Sequence, residues 1–215
     1  TNLGCSTARN LCVEQAEGSE VVFLDNDIEI PDPAWLEKLK RILHSDEAIA
    51  IVGPKLCYPF EPHDIQCAGV GISKSGRVLF RGRGEPCDSS DYAGQEDVQC
   101  LISACWIFRR SLYDEIGGLD EVYNPIQYED FDFCYRARSK GYRVVYSPDP
   151  LIYHWESITS DRTPSLNNRY VIIKNGMTFK KRWRHMFEKE DGPSDEDTQW
   201  QFKDLPTIEG ERRRR

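Results

Sequence analysis

Val21-Val22-Phe23-Leu24-Asp25-Asn26-Asp27 joins four consecutive apolar residues to two carboxylates one residue apart. An apolar run of this length, half of it Val, reads as a buried strand. Side chains alternate along a strand, so Asp25 and Asp27 are expected to face the same way at its tip. Paired hard oxygen donors suit Mg²⁺ or Mn²⁺ on a diphosphate, which takes one or two carboxylates and completes its shell with phosphate oxygens and water. The same spacing also occurs in turns with solvated carboxylates, so the surrounding sequence has to decide.

On either side of this strand, helical and extended patterns alternate. Residues 6–16 read as a helix leading into it. Asp32-Pro33 reads as a helix start, with Asp as N-cap and Pro at the first helical position. Trp35, Leu36, Leu39, Ile42 and Leu43 then recur at helical spacing. Residues 48–52 form a second short apolar run closed by Gly53-Pro54. Residues 56–99 are irregular, with a hairpin expected at Lys74-Ser75-Gly76-Arg77. Residues 98–108 read as a buried strand region, and 110–116 as a short helix ended by Gly117-Gly118. A helix over 128–140, a strand over 143–146, an extended piece over 151–155 and an amphipathic basic helix over 170–183 follow. There are no internal repeats, and the alternation predicts an α/β sandwich.

The 215 residues suffice for one substantial domain, 1–187, with 188–215 read as a polar, disordered tail. A formal net charge of −8 argues against a nucleic-acid partner, because phosphate backbones demand a basic face. No apolar run approaches the ~18–20 residues that cross a bilayer, and no signal-peptide pattern opens the chain. The eight cysteines include no C-x-x-C pair, which argues against zinc; reduced thiols in a cytoplasmic protein are expected.

Two further groups carry chemistry. Glu129-Asp130, with Asp132, opens the helix after Tyr128. First-turn carboxylates are favoured by the free amides and the helix dipole whatever their role. A carboxylate ionised there at neutral pH is also a candidate general base for an attacking hydroxyl. His154 ends an extended segment beside Trp155 and offers an imidazole that Mn²⁺ accepts alongside oxygen donors; packing or a satisfied hydrogen bond is the plainer account.

Together the groups Asn2-Leu3-Gly4, Ala8-Arg9-Asn10, Phe23-Leu24-Asp25-Asn26-Asp27 and Pro33-Ala34-Trp35-Leu36 resemble family 2 glycosyltransferases of the GT-A fold. The likeness continues through Gly117-Gly118-Leu119-Asp120-Glu121, Tyr128-Glu129-Asp130-Phe131-Asp132, Gly141-Tyr142-Arg143-Val144, His154, Asn168-Arg169-Tyr170 and Lys174-Asn175, in order over residues 1–183. In flavour it is similar to the bacterial rhamnosyltransferase-like group that builds surface polysaccharides. The resemblance implies a GT-A-like (Rossmann-related) mixed sheet flanked by helices. It also implies an N-terminal truncation, since family members normally open with a strand-helix-strand unit that supplies the nucleotide base pocket.

As roles, the resemblance implies that Asp27 and His154 hold a divalent metal, Mn²⁺ or Mg²⁺. Asp25 would meet the ribose or the metal's water shell, and Asp130 of the Glu129-Asp130 pair would be the base. Trp106, after Cys105, would line the acceptor and sugar pocket, and Arg169 and Lys174 would steady phosphates unless they are a solvated helix face. The implied activity is inverting, metal-dependent transfer from a nucleotide-sugar donor to a glycan or lipid-linked acceptor. Peripheral membrane association at the cytoplasmic face and self-association or a partner chain are compatible with it. The alternatives are a non-catalytic, partner-binding remnant of the fold and a metal-dependent nucleotidyltransferase.

Overall fold

The computed structural model describes residues 2–155 and 168–198. A mixed sheet runs in the order β1 (Glu20–Leu24), β8 (Cys105–Arg109), β3 (Ile49–Cys57), β9 (Arg143–His154), β2 (Ile28–Glu29). β3 and β9 are parallel; β8 is antiparallel to both β1 and β3, and β2 to β9. Short β4 (Ile65–Cys67) extends β3 and β7 (Glu96–Asp97) extends β9. β5 (Val70–Ile72) and β6 (Val78–Phe80) make the hairpin expected at Gly76, whose φ of 76° supplies the left-handed turn.

Alternation along the strands gives the sheet two buried faces. Helix α2 (Trp35–Ser45) sets Leu39 and Leu43 against Ile49, Val52, Ile107 and Val145 on one. On the other, Val21, Phe23, Ile51, Trp106 and Phe108 pack with Val13 of α1 (Cys5–Gln15), Leu112 of α3 (Arg110–Ile116), Phe131 and Phe133 of α4 (Glu129–Ser139) and Phe179 of α5 (Asn168–Phe187). The expected α/β layering is present.

Several boundaries differ from the sequence reading. Helix α2 begins at Trp35; Asp32 accepts from the Ala34 amide at 2.8 Å, so its side chain closes the preceding turn. β3 runs through Gly53-Pro54 because the parallel register with β9 shifts between Pro54 and Lys55, which accommodates a residue without an N–H. For the same reason residues 143–146 and 151–155 are largely one strand, with Pro148-Asp149-Pro150 set off the ladder between Ser147 and Leu151. The buried strand read over 98–108 is confined to β8.

Two expectations are corrected. Cys57 and Cys87 form a disulfide with Cα atoms 6.5 Å apart, while the other six cysteines are outside any disulfide. Their sequence separation of 30 crosses the irregular stretch, where spacing carries no pairing signal. Residues 188–198 are not a loose tail. Glu190 accepts from Gln99 at 2.6 Å and Tyr135 at 3.0 Å and pairs with Arg138 at 3.0 Å; Asp195 accepts from the Ser73 and Ser75 hydroxyls at 2.6 and 2.7 Å. Polar partners of this kind leave no periodic trace in sequence. Residues 199–215, with the terminal arginines, lie outside the described residues.

Candidate active site

Asp25 and Asp27 occupy the turn between β1 and β2. Their convergence therefore comes from the turn, not from strand alternation as expected. The Asp25 amide donates to the Ala104 carbonyl at 2.8 Å, continuing the β1–β8 ladder, and the Trp155 amide donates to the Asp27 carbonyl at 2.9 Å. Pairing of Ile28 with His154 brings the end of β9 to the same place. Ligand-capable atoms of Asp25, Asp27 and His154 all lie within 4.8 Å of one another, with His154 Nε2 3.3 Å from Asp27 Oδ1. Two carboxylates and an imidazole are a donor set that fits Mn²⁺, or Mg²⁺ through the oxygens alone.

Arg9 of α1 connects this cluster to the second acidic pair. Its guanidinium meets Asp25 Oδ1 at 2.5 Å, bonds to the Ser103 hydroxyl and carbonyl, and lies 3.9 Å from Glu129. The ring of Phe23 lies beneath it, 5.2 Å from the guanidinium carbon. Asp130 accepts from the amides of Phe131 at 2.8 Å and Ser103 at 3.4 Å. Ser103 thus touches both Arg9 and Asp130. Burial, then the neighbouring Glu129 charge, raises the Asp130 carboxyl above the ordinary range. Glu129 is itself raised by burial, and its Oε2 is buried with no hydrogen-bond partner among the described residues. Contrary to the sequence expectation, the helix start does not hold Asp130 in its charged form: desolvation outweighs the two amide hydrogen bonds.

The loop that presents this pair is strained. Gln127 and Tyr128 both take left-handed backbone conformations, φ 79° and 75°, immediately before Glu129. Buried Asn175 of α5 holds that shape by donating to the carbonyls of Tyr123, Ile126 and Gln127 at 2.6, 2.8 and 3.0 Å. Asp132, fully buried, accepts from Tyr123, Arg136, Arg182 and Trp183 and is an architectural anchor between α4 and α5.

Other expected site residues lie elsewhere. Trp106 is fully buried and packs against Phe23, Phe108 and Phe133; it belongs to the core and not to a sugar pocket, because its strand position points it at α4. Cys105 is also buried, its thiol pushed up to about 12 chiefly by desolvation. Arg169 and Lys174 are exposed on α5, and Lys174 donates to the Val122 carbonyl at 3.2 Å. Arg9, Ser103, Gln66 and Asn175 carry interactions that sequence reasoning did not assign. Arg9 and Asn175 do stand inside the groups quoted for the resemblance, whereas Gln66 lies in the irregular stretch and gave no signal.

The model of the glycosyltransferase-like family 2 matches residues 2–172. The chain belongs to this family. Among curated relatives of this family 2 chain, the "O-antigen biosynthesis protein RfbC" of Myxococcus xanthus is 31% identical over 153 residues, 69% of this chain and 12% of its own length. An "Uncharacterized protein y4gI" of Sinorhizobium fredii is 28% identical over 191 residues, 83% of this chain and 20% of that protein. The chain therefore spans a fifth or less of these relatives. Among solved structures, GalNAc-T7 with UDP, GalNAc and Mn²⁺ superposes with a TM-score of 0.56 at 17% identity, over 70% of this chain and 30% of the other. The mannosyltransferase PcManGT from Pyrobaculum calidifontis with GDP-Man and Mn²⁺ gives 0.51 at 15%, over 88% and 45%. These likenesses establish the GT-A fold.

Proposed function

We propose that this family 2 chain carries the metal-binding and acceptor side of an inverting glycosyltransferase, which moves a sugar from a nucleotide-sugar donor to a hydroxyl of a glycan or lipid-linked acceptor. The observation that carries the reading is the meeting of Asp25, Asp27 and His154 within 4.8 Å, with Arg9 and Ser103 linking the cluster to Asp130. Surface-polysaccharide synthesis is the biological setting, supported by the name of the Myxococcus relative, an O-antigen biosynthesis protein. No helix among the described residues is long and apolar enough to cross a membrane. We place the enzyme at the cytoplasmic membrane face as part of this proposal.

Asp27 and His154 would hold the divalent cation, with Asp25 beside it. Bound there, such a cation supplies Lewis-acid neutralisation of charge on the departing diphosphate. Asp130 accepts the proton of the acceptor hydroxyl as that oxygen bonds the anomeric carbon. The bond from that carbon to the phosphate oxygen breaks on the opposite side, and a single displacement inverts the configuration. Arg9 orients Asp25 and Ser103, and the Ser103 amide steadies the Asp130 carboxylate.

The test is a nucleotide-sugar panel with and without Mn²⁺, followed by NMR of the anomeric configuration of any transferred sugar. One donor class that stabilises the protein only with Mn²⁺, and an inverted product, is expected. Retention of configuration would overturn the mechanism. Cleavage of a nucleoside triphosphate would support the nucleotidyltransferase alternative, and failure of every donor to bind would favour the partner-binding one.

A further inference from the structure

Gln66 reaches across β3 from β4 and is 1% exposed. Both ends of its amide meet one residue. Nε2 donates to the His154 carbonyl at 3.2 Å, and Oε1 stands 2.6 Å from His154 Nδ1. A carbonyl oxygen only accepts, so the amide nitrogen must be the end that faces it. The amide oxygen then faces Nδ1 and cannot donate, so Nδ1 must carry a hydrogen. A neutral imidazole protonated at Nδ1 has its lone pair on Nε2, the atom 3.3 Å from Asp27 Oδ1. Two acceptors facing each other at that separation repel, and a cation shared between them relieves the repulsion.

We propose that Gln66 is a positioning residue: it locks His154 as the Nδ1–H tautomer and aims the Nε2 lone pair at the Asp27 carboxylate, making a site for a hard divalent cation. The inference rests on the metal reading above and adds the group that prepares the imidazole. Partners on the distal nitrogen of a ligating His set its tautomer, its ring orientation and its basicity. Gln66 fixes the orientation twice, through the ring and through the backbone carbonyl. The disulfide at Cys57 and Cys87 and the β3–β4 pairing at Leu56–Cys67 and Cys57–Ile65 hold the strand that carries it.

The experiment uses ¹⁵N-histidine-labelled, metal-free protein at a pH where the imidazoles are neutral. There are four histidines, and His154→Gln assigns the signal. The expected long-range ¹H–¹⁵N pattern is that of the Nδ1–H tautomer, changing to Nε2–H or a mixture in Gln66→Leu and kept in Gln66→Glu, whose carboxylate still accepts from Nδ1. Mn²⁺ affinity, read by EPR titration, should fall by about 10–100-fold in Gln66→Leu and by much less in Gln66→Glu. An Nε2–H tautomer in the wild type, or unchanged Mn²⁺ affinity in a folded Gln66→Leu, overturns the proposal. If the Leu variant does not fold, the wild-type and Gln66→Glu spectra decide. Failure of the metal reading is separately visible: the wild type would then bind Mn²⁺ no better than Asp27→Asn, whatever its tautomer.

Discussion

Asp130 and Asp27 bear the same carboxyl in unlike surroundings. Asp27 stands partly open beside the His154 imidazole, 3.3 Å away, whereas burial and the Glu129 charge raise the Asp130 carboxyl. A group at the raised end is a better proton acceptor once ionised, since efficiency grows as the pKa nears working pH. Asp130→Asn keeps the shape but takes no proton. We expect turnover to fall by ~10² to 10⁴ with Mn²⁺ and donor binding retained, checked by initial rates and by titration; more than about a tenth of wild-type turnover would refute the assignment. The sign of the pH dependence follows from the same shift. The base works deprotonated, so its raised pKa moves the acid limb of the rate profile upward from the ordinary Asp value of ~3.9. Glu129→Gln removes the neighbouring charge and should shift that limb to lower pH, read from kcat/KM against pH.

Between residues and fold stands the contact of α5 with the loop before α4. One side chain, Asn175, donates to three carbonyls of that loop, and the loop holds two non-glycine residues with positive φ. Asn175→Leu leaves buried carbonyls without donors, each worth about 1–3 kcal/mol, and frees the strained turn to relax. Chemical denaturation should show a loss of at least about 2 kcal/mol, with turnover falling further than Mn²⁺ affinity because the loop presents Asp130 and not the Asp27–His154 pair. Equal losses in both would mean that the loop does not position the base. Arg9 acts likewise for α1: it ties the helix to Asp25 and Ser103.

The assembled domain is closed by contacts that join distant stretches of chain. Cys57 and Cys87 secure the irregular region against β3, and residues 188–198 return across the β5–β6 hairpin and α4 through Asp195 and Glu190. Alkylation of the denatured, unreduced protein should modify six thiols, and all eight only after reduction. Eight modified without reductant would contradict the disulfide. Closing a loop of this length in the unfolded chain is worth roughly 2–4 kcal/mol, so Cys57→Ala with Cys87→Ala should lower the unfolding midpoint while leaving the free-thiol count unchanged.

Local patterns carried the elements. The apolar run at Val21–Leu24, the stripe Leu39–Leu43, Gly76 in its turn and Gly117 after α3 each encode their structure within a few residues, because strand and helix periodicity and positive φ are short-range properties. The same run, read with its neighbours, also carried the family and the pair Asp25–Asp27. What lay beyond reach depended on which strands become neighbours. The family resemblance already named Asp27 and His154 together, but the physical cause of their meeting is tertiary: β2 pairs with the end of β9. Trp106 turns inward because β8 lies between β1 and β3 beneath α4. Gln66 approaches His154 across 88 residues of chain, and Asp130 acquires its raised pKa only when its helix start is desolvated. Strand order and burial are properties of the folded chain as a body; no spacing along the sequence records them.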